Sequence, residues 1–379
     1  MTRTAIEKVQ AAIAEIRAGK MVILVDDEDR ENEGDLVMAA EFATPEAVNF
    51  MARNGCGLIC LPLTEERVRE LDIPMMVGDN RSPRSTAFTV SIEARSGIST
   101  GISAADRAHT IRTAIDPRTR PDEIVSPGHV FPLKARPGGV LQRTGHTEGA
   151  IDLARLAGLQ PAAVICEIMN PDGTMARLPD LEVFAKEHGL MILSIADLVE
   201  YRLSQERLVR RLKRDEVTMP SGKKWTAHVY STGIDGDEKQ FMALTHGEID
   251  ESPTHVRVHM GSILGDVFQV AMRGRVAASE AIAHIEKEGK GVVLYVPGGP
   301  SPLEDLNFYT GQSRETAPME QGEVLREYGL GAQVLSDLGL RSIIVITNRP
   351  RRLPSLEGYG LEVLDQIVIG REPQTPSTR

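Results

Sequence analysis

The segment "VILVDDEDRENEGD", residues 22–35, decides how this chain is read. Val22-Ile23-Leu24-Val25 is an unbroken apolar run that predicts a buried strand. Seven carboxylates follow in ten positions: Asp26, Asp27, Glu28, Asp29, Glu31, Glu33 and Asp35. Like charges this close repel, and a bound cation is one way to relieve them. Three readings compete. Most charge runs are solvated turns. A calcium loop of the EF-hand type fits Asp29, Glu31, Glu33 and Gly34, but its bidentate Glu would fall at Ala40, and Leu36-Val37-Met38 intrudes. The third is a catalytic loop at a strand end. Some carboxylates would bind a hard metal such as Mg²⁺ and others would move protons, with Arg30 pairing a neighbour or an anionic substrate.

Outward from this loop, Thr4 and Glu7 form a capping box ahead of the stripe Ile6, Val9, Ile13 and Ile16, and Gly19 stops that helix. Thr44-Pro45-Glu46 opens a helix, Ser103 to Asp106 caps another, and Gly145-His146-Thr147-Glu148 leads into one ended by Gly158. Residues 162–169 and 191–195 read as strands. The chain has 379 residues, a length that suits two domains. The charged, poorly periodic segment 202–224 marks the boundary. Strands then fall near 225–231, 239–245, 255–260, 291–296 and 342–347, with helices over 277–288 and ending near Leu338. Strands and helices mix without a strict βαβ rhythm, which predicts an α+β or mixed-sheet α/β architecture.

The composition is 41% hydrophobic and 26% charged, ordinary for a globular protein. A net charge of −11 argues against nucleic-acid binding, which wants a basic face. No segment reaches the ~18 apolar residues of a membrane helix. The charged N-terminus does not read as a signal peptide. The three cysteines, Cys56, Cys60 and Cys166, read as reduced thiols of a cytoplasmic protein.

Further motifs suit the catalytic reading. "SPGHVFP", residues 126–132, places His129 in a loop between Gly and Pro turns. "RTGHTEG", residues 143–149, puts Arg143, Thr144, Gly145, His146 and Thr147 at a helix N-terminus, a ready phosphate site. Glu167 lies in an apolar strand and needs a partner there. Each has an ordinary structural alternative, as a core histidine, a helix cap or a paired acid.

Together with "PMM" (74–76), "FTVSIEARSGISTGISAADRA" (88–108), "PGHVFPL" (127–133) and the long run 136–177, these segments resemble 3,4-dihydroxy-2-butanone 4-phosphate synthase, over about residues 5–203. The resemblance implies a mixed-sheet α/β sandwich and conversion of D-ribulose 5-phosphate to the butanone phosphate and formate. It implies Mg²⁺ or Mn²⁺ and a homodimer with sites near its interface. It assigns Glu31 and His146 to the metal, His129 and Glu167 to catalysis, and Arg30, Glu31, Asp35, Arg143, Thr144, Gly145, His146, Thr147 and Glu167 to substrate. Cys56 and Cys60 fall near that site and are expected to pack structurally.

The second half is similar to GTP cyclohydrolase II, in "REYGLGAQVLSDLGLRS" (326–342), "TNRPRRLPSLEGYGLEV" (347–363) and "VRVHMGSILGDVF" (256–268). That family holds zinc on three cysteines. Here those positions read Ser262, Arg273 and Arg275, and no cysteine follows Cys166. Its catalytic segment reads Pro297 to Pro302, and its proton acceptor reads Val324, although Arg326 persists. The expectation is a synthase domain at 1–203, a linker at 204–223, an α/β domain at 224–370 that binds no zinc and is inactive, and a tail at 371–379; the alternatives are a bifunctional enzyme that also carries GTP cyclohydrolase II activity, or a nucleotide-binding regulatory module in the second half. His255 and His259, roughly 13 Å apart along a strand, offer no substitute site.

Overall fold

The computed structural model describes residues 4–82, 84, 86–234, 238–272, 275–296, 300–312, 321–348, 356 and 359–369, with the backbone alone at 321–324 and 327. The tail at 371–379 lies outside the described residues. The chain forms two compact units, the first Met1–Arg202 and the second beginning at Leu203. Each is a mixed sheet with helices, an α+β organisation.

The first unit runs α1 (Ala5–Arg17), β1 (Val22–Val25), β2 (Gly34–Ala39), α2 (Pro45–Phe50), β3 (Cys60–Leu63), α3 (Glu65–Glu70), β4 (Ile92–Ala94), α4 (Ala104–Ile115), β5 (Ile124–Lys134), α5 (His146–Leu156), β6 (Ala163–Glu167), α6 (Leu178–His188), β7 (Ile192–Ser194) and α7 (Ile195–Gln205). Its sheet order is β4-β5-β3-β6-β2-β1-β7. Strand alternation divides the faces. Ile23, Leu36, Met38, Leu61, Val164 and Cys166 join Val48 of α2, Ile111 of α4 and Leu181 of α6 in one core. The intervening residues, among them Leu24, Asp35 and Glu167, therefore face the other way. That face is covered by α5, whose Gly149 packs on Leu24. Asp35 pairs with Glu167 across β2 and β6.

The second unit continues with β8 (Val209–Thr218), β9 (Lys224–Thr232), β10 (Gln240–His246), β11 (Thr254–Met260), α8 (Ala278–Glu288), β12 (Gly291–Val296), α9 (Pro302–Thr310), α10 (Gln321–Asp337), β13 (Ser342–Thr347) and β14 (Glu362–Val368). The order is β14-β13-β11-β12-β10-β9-β8. Pairing is parallel from β14 to β12 and antiparallel from β12 to β8.

Two expectations need correcting. The linker read at 204–223 holds the end of α7 and all of β8. The latter is an edge strand whose residues 210–216 are exposed, so charge there keeps an edge soluble and mimics a linker. The segment 126–132 is no loop: it lies within β5. Ile92 pairs with Val130 but Glu93 pairs with Val125, so residues 126–129 bulge out of the ladder. Gly128 passes so close to the carbonyl of Ile92 that a Cβ has no room. β3 is a further strand that no local pattern announces, since Pro62 sits inside it, in a central position where proline is rare. Among the described residues no helix is long and apolar enough to cross a membrane.

Asp152 on α5 is buried. It accepts from Arg202 Nη1 (2.9 Å) and the Val140 N–H (2.8 Å), and Arg202 also donates to the Gly138 carbonyl (2.8 Å). This knot sets the approach to α5. Arg202→Ala strands a buried carboxylate and should cost about 3 kcal/mol, read as a lower urea midpoint for unfolding of the first unit.

Candidate metal and substrate site

The acidic loop is closed by its own first carboxylate. Asp26 accepts from the N–H groups of Glu31 (3.0 Å) and Glu33 (2.9 Å) and from Arg30 Nη1 (2.8 Å). The Asp27 carbonyl accepts from the N–H groups of Arg30 and Asn32, and its side chain from that of Asp29. Arg30 is buried and also donates to Glu31 Oε2 at 2.6 Å. The seven carboxylates therefore divide. Asp26 and Asp27 fold the loop, Glu28 and Asp29 are exposed, and Glu31, Glu33 and Asp35 face inward.

His146, the first residue of α5, descends on this loop. Its Nδ1 lies 3.7 Å from Glu31 Oε2, and its Nε2 lies 4.0 Å from Asp35 Oδ1. Nε2 is buried without a hydrogen-bond partner. Ligand atoms of Asp26, Glu31 and His146 lie within 4.8 Å of one another, the one such group among the described residues. With Asp26 taken up by three donors, Glu31 and His146 remain to hold an ion. An orphaned buried imidazole nitrogen beside carboxylate oxygens is a fitting donor set for a divalent cation. The electrostatics agree. Contact with the His146 ring, set against burial and aided by Arg30, holds Glu31 down to about 2. Burial opposes charge on His146, but Asp35, Glu31 and Asp26 outweigh it and lift its pKa to about 9. Burial lifts Asp35 to about 7, with His146 opposing and Glu167 and Glu31 adding to the rise.

Glu167 finds the partner its strand demanded: the Leu58 N–H donates to Oε2 at 2.8 Å. Gly57 lies against it, and a Cβ there would stand 2.5 Å from Oε2. Asp35 lies beside Glu167 across β2 and β6, while His129 lies in the bulge of β5, on the far side of β3 from β6. The structure thus brings together Glu31, Asp35, His146, Arg30 and Glu167, while His129 stands on β5, two strands from Glu167. His129 Nδ1 meets Glu93 Oε1 at 2.9 Å, a carboxylate partner that fixes the ring.

Arg143 is less free than the sequence suggests. It donates to the buried Glu148 at 2.6 Å and to Thr86 Oγ1 at 3.1 Å, on the side where Gly145 passes close. Thr144 and Thr147 are buried beside it. Cys60 and Cys166 are buried, with burial pushing the Cys166 thiol to about 12. Cys56 is exposed at φ 65°, so the packing role expected of it does not hold. Sequence reasoning missed Asp26, Glu93, Glu148 and the arginines discussed below. Only Asp26 carried a local signal, as the first carboxylate after a buried strand.

In the second unit, Ser262 and Arg275 converge on Asp305, which is wholly buried. Ser262 Oγ donates to both carboxylate oxygens (2.8 and 2.9 Å), Leu264 N–H to one (2.8 Å) and Arg275 Nη1 to the other (3.1 Å). A hydroxyl and a guanidinium do not fit zinc, whose ligands are thiolate, imidazole or carboxylate. Arg273 and residues 297–299 lie outside the described residues, as does the side chain of Val324. His259 is engaged by Asp266 at 2.7 Å and His255 by the ring of His284.

Residues 10–201 match the 3,4-dihydroxy-2-butanone 4-phosphate synthase family, and residues 211–368 match GTP cyclohydrolase II. The riboflavin biosynthesis protein RibBA of Aquifex aeolicus is 52% identical over 96% of this chain and 93% of its own length. The crystal structure of a two-domain 3,4-dihydroxy-2-butanone 4-phosphate synthase from A. baumannii is similar at a TM-score of 0.80 and 43% identity, covering 96% of this chain and all of that one. A further synthase structure, in complex with two magnesium ions, is 42% identical at a TM-score of 0.50 and covers 54% of this chain and 98% of that one.

The charge balance around His146 can be checked directly. In metal-free protein its NMR titration should fall near pH 9, and Glu31→Gln should lower it. Because the folded pKa exceeds the ordinary 6.5, this ring's stabilising contribution is full below about pH 6.5 and is lost as pH rises through 9. A titration at 6.5 or below would contradict the geometry.

Proposed function

The chain belongs to the 3,4-dihydroxy-2-butanone 4-phosphate synthase family, with a GTP cyclohydrolase II domain as its second half, and on that premise we propose that it converts D-ribulose 5-phosphate to 3,4-dihydroxy-2-butanone 4-phosphate and formate in riboflavin biosynthesis. The observation that carries the reading is the His146 ring, whose Nδ1 faces Glu31 at 3.7 Å and whose orphaned, buried Nε2 lies 4.0 Å from Asp35. We assign Glu31 and His146 to Mg²⁺ or Mn²⁺. Such an ion, when bound, supplies positive charge to oxygens that turn negative when a carbon beside a ketone loses its proton. The protein's own groups do the rest. Asp35, with a pKa of about 7, holds or releases a proton near neutrality. Glu167, anchored by the Leu58 N–H, presents its free oxygen to the same space. Arg30 neutralises the loop, and Arg143 with Thr144, Gly145 and Thr147 offers donors for the phosphate. His129, oriented by Glu93, is the second proton carrier.

We further propose a homodimer in which His129 serves the metal cluster of a second copy. Two observations support it: β3 and β6 stand between His129 on β5 and Asp35 on β2, and the side chains Leu58, Met75, Met76, Val77 and Ile102 are exposed and apolar in the same unit. The three free thiols suit a cytoplasmic protein. The second unit is read as inactive in ring opening of GTP, since Ser262 and Arg275 are spent on Asp305 and offer no metal ligand.

Purified protein should release formate from ribulose 5-phosphate. EDTA should abolish this and Mg²⁺ restore it; full activity after chelation would sink the metal role. Arg143→Ala should weaken kcat/KM by about 2–4 kcal/mol. Glu31→Gln and His129→Ala should each be inactive alone, and mixed after subunit exchange they should regain about a quarter of the activity, the share expected of one intact site in half the dimers. No recovery would place His129 in its own chain's site. With Zn²⁺ and GTP, the same preparation should release no formate above buffer.

A further inference from the structure

The acidic loop is gripped from outside as well as from within. Three successive main-chain carbonyls, those of Arg30, Glu31 and Asn32, accept from guanidinium groups. Arg84 Nη2 takes the first. Arg177 Nη1 takes the second, at 2.8 Å, and the third. Arg177 is the residue immediately before α6, far along the chain from the loop it holds. Its place matters because the loop is not packed solidly there. A pocket of about 40 Å³, lined by Asn32, Glu33, Leu178 and Leu181 among others, separates the loop from the start of α6. Arg177 links the same two elements. The peptide units it holds flank Asn32, which sits at φ 55°, in the left-handed region that non-glycine residues enter at a cost. Glu31 is thereby fixed on both sides of its backbone. Its N–H goes to Asp26 and its carbonyl to Arg177, which leaves its side chain a narrow range of directions toward His146.

We propose that Arg177 is a positioning residue of the metal site: its guanidinium clamps the Glu31 and Asn32 carbonyls and so holds the Glu31 carboxylate where it meets the ion. The proposal rests on the reading of Glu31 and His146 as the metal ligands. A side chain that orients a ligand in this way is commonly worth 10–100-fold in metal affinity. Both bonds leave the one nitrogen Nη1, and a lysine ammonium keeps that charge and its donors but carries them on a shorter, more flexible stem.

The test measures Mn²⁺ affinity directly, by EPR of the free ion in titrations of the full chain, alongside steady-state kinetics. Arg177→Ala should raise the Mn²⁺ dissociation constant about tenfold or more. It should leave kcat at saturating Mn²⁺ within about threefold of the wild type, because the chemical groups are untouched. Arg177→Lys should fall between the two. If Arg177→Ala melts early, Arg177→Lys decides the matter at a temperature where it is folded. Unchanged Mn²⁺ affinity in the folded variants, with Glu31→Gln losing it, overturns the proposal and leaves the metal site standing. Glu31→Gln binding as the wild type does would overturn the site and the proposal together. A loss of kcat at saturating metal without loss of affinity would place Arg177 in some other role.

Discussion

The first unit's site depends on one carboxylate, that of Asp26. It collects two backbone N–H groups and a guanidinium at the point where a buried strand runs out. Without it, a ten-residue run with seven negative charges would spread into solvent. With it, the loop folds back on itself and aims Glu31 and Asp35 at one imidazole. A buried carboxylate is costly unless it is hydrogen-bonded throughout, and Asp26 meets that condition. The remaining charge is balanced by Arg30 within the loop and by groups from distant parts of the chain: Arg84 and Arg177 on its carbonyls, and His146 at the head of α5. The site is thus an electrostatic assembly whose elements share a face because strands alternate with a period of two.

Both units bury imidazole nitrogens without a partner, in the second His228 Nδ1, His259 Nδ1 and His284 Nε2, but among the described residues only His146 stands in a cluster of possible metal ligands. In the first, the nitrogen His146 Nε2 is left without a partner beside carboxylates, an arrangement that invites an ion. In the second, Asp305 is satisfied on every side by Ser262, Leu264 and Arg275, and Arg275 also lies over the Phe308 ring at 4.3 Å. A closed knot of this kind stabilises a loop and offers nothing to a metal. That contrast, rather than any difference in fold class, is why we assign chemistry to one unit and not to the other.

Much of this was legible in the sequence. The helix caps at Thr4, Thr44 and Ser103 announced themselves through short-range rules, and each accepts the backbone hydrogen bond those rules require. The acidic loop was legible as an anomaly, and its resemblance to a known family named its partners. Other features depended on tertiary pairing. Nothing local marks 209–218 as a strand, because an exposed edge carries charge on both faces. Pro62 argued against β3, and Pro127 and Gly128 against β5, yet neighbouring strands hold both in the sheet. The Glu93–His129 pair and the Arg177 clamp join residues 36 and about 145 positions apart, and only register brings them together. Arg143's buried partner Glu148 likewise reads from sequence as an ordinary first-turn acid of α5.

The central claim is that the acidic loop and the first residue of α5 form one divalent-cation site. Electron spin-echo spectroscopy of the Mn²⁺-loaded protein tests it most directly, through the magnetic coupling of the ion to ligand nitrogen. The account predicts ¹⁴N modulation from a single imidazole, lost in His146→Ala and retained in His129→Ala. Modulation that survives His146→Ala, or none in the wild type, would contradict it.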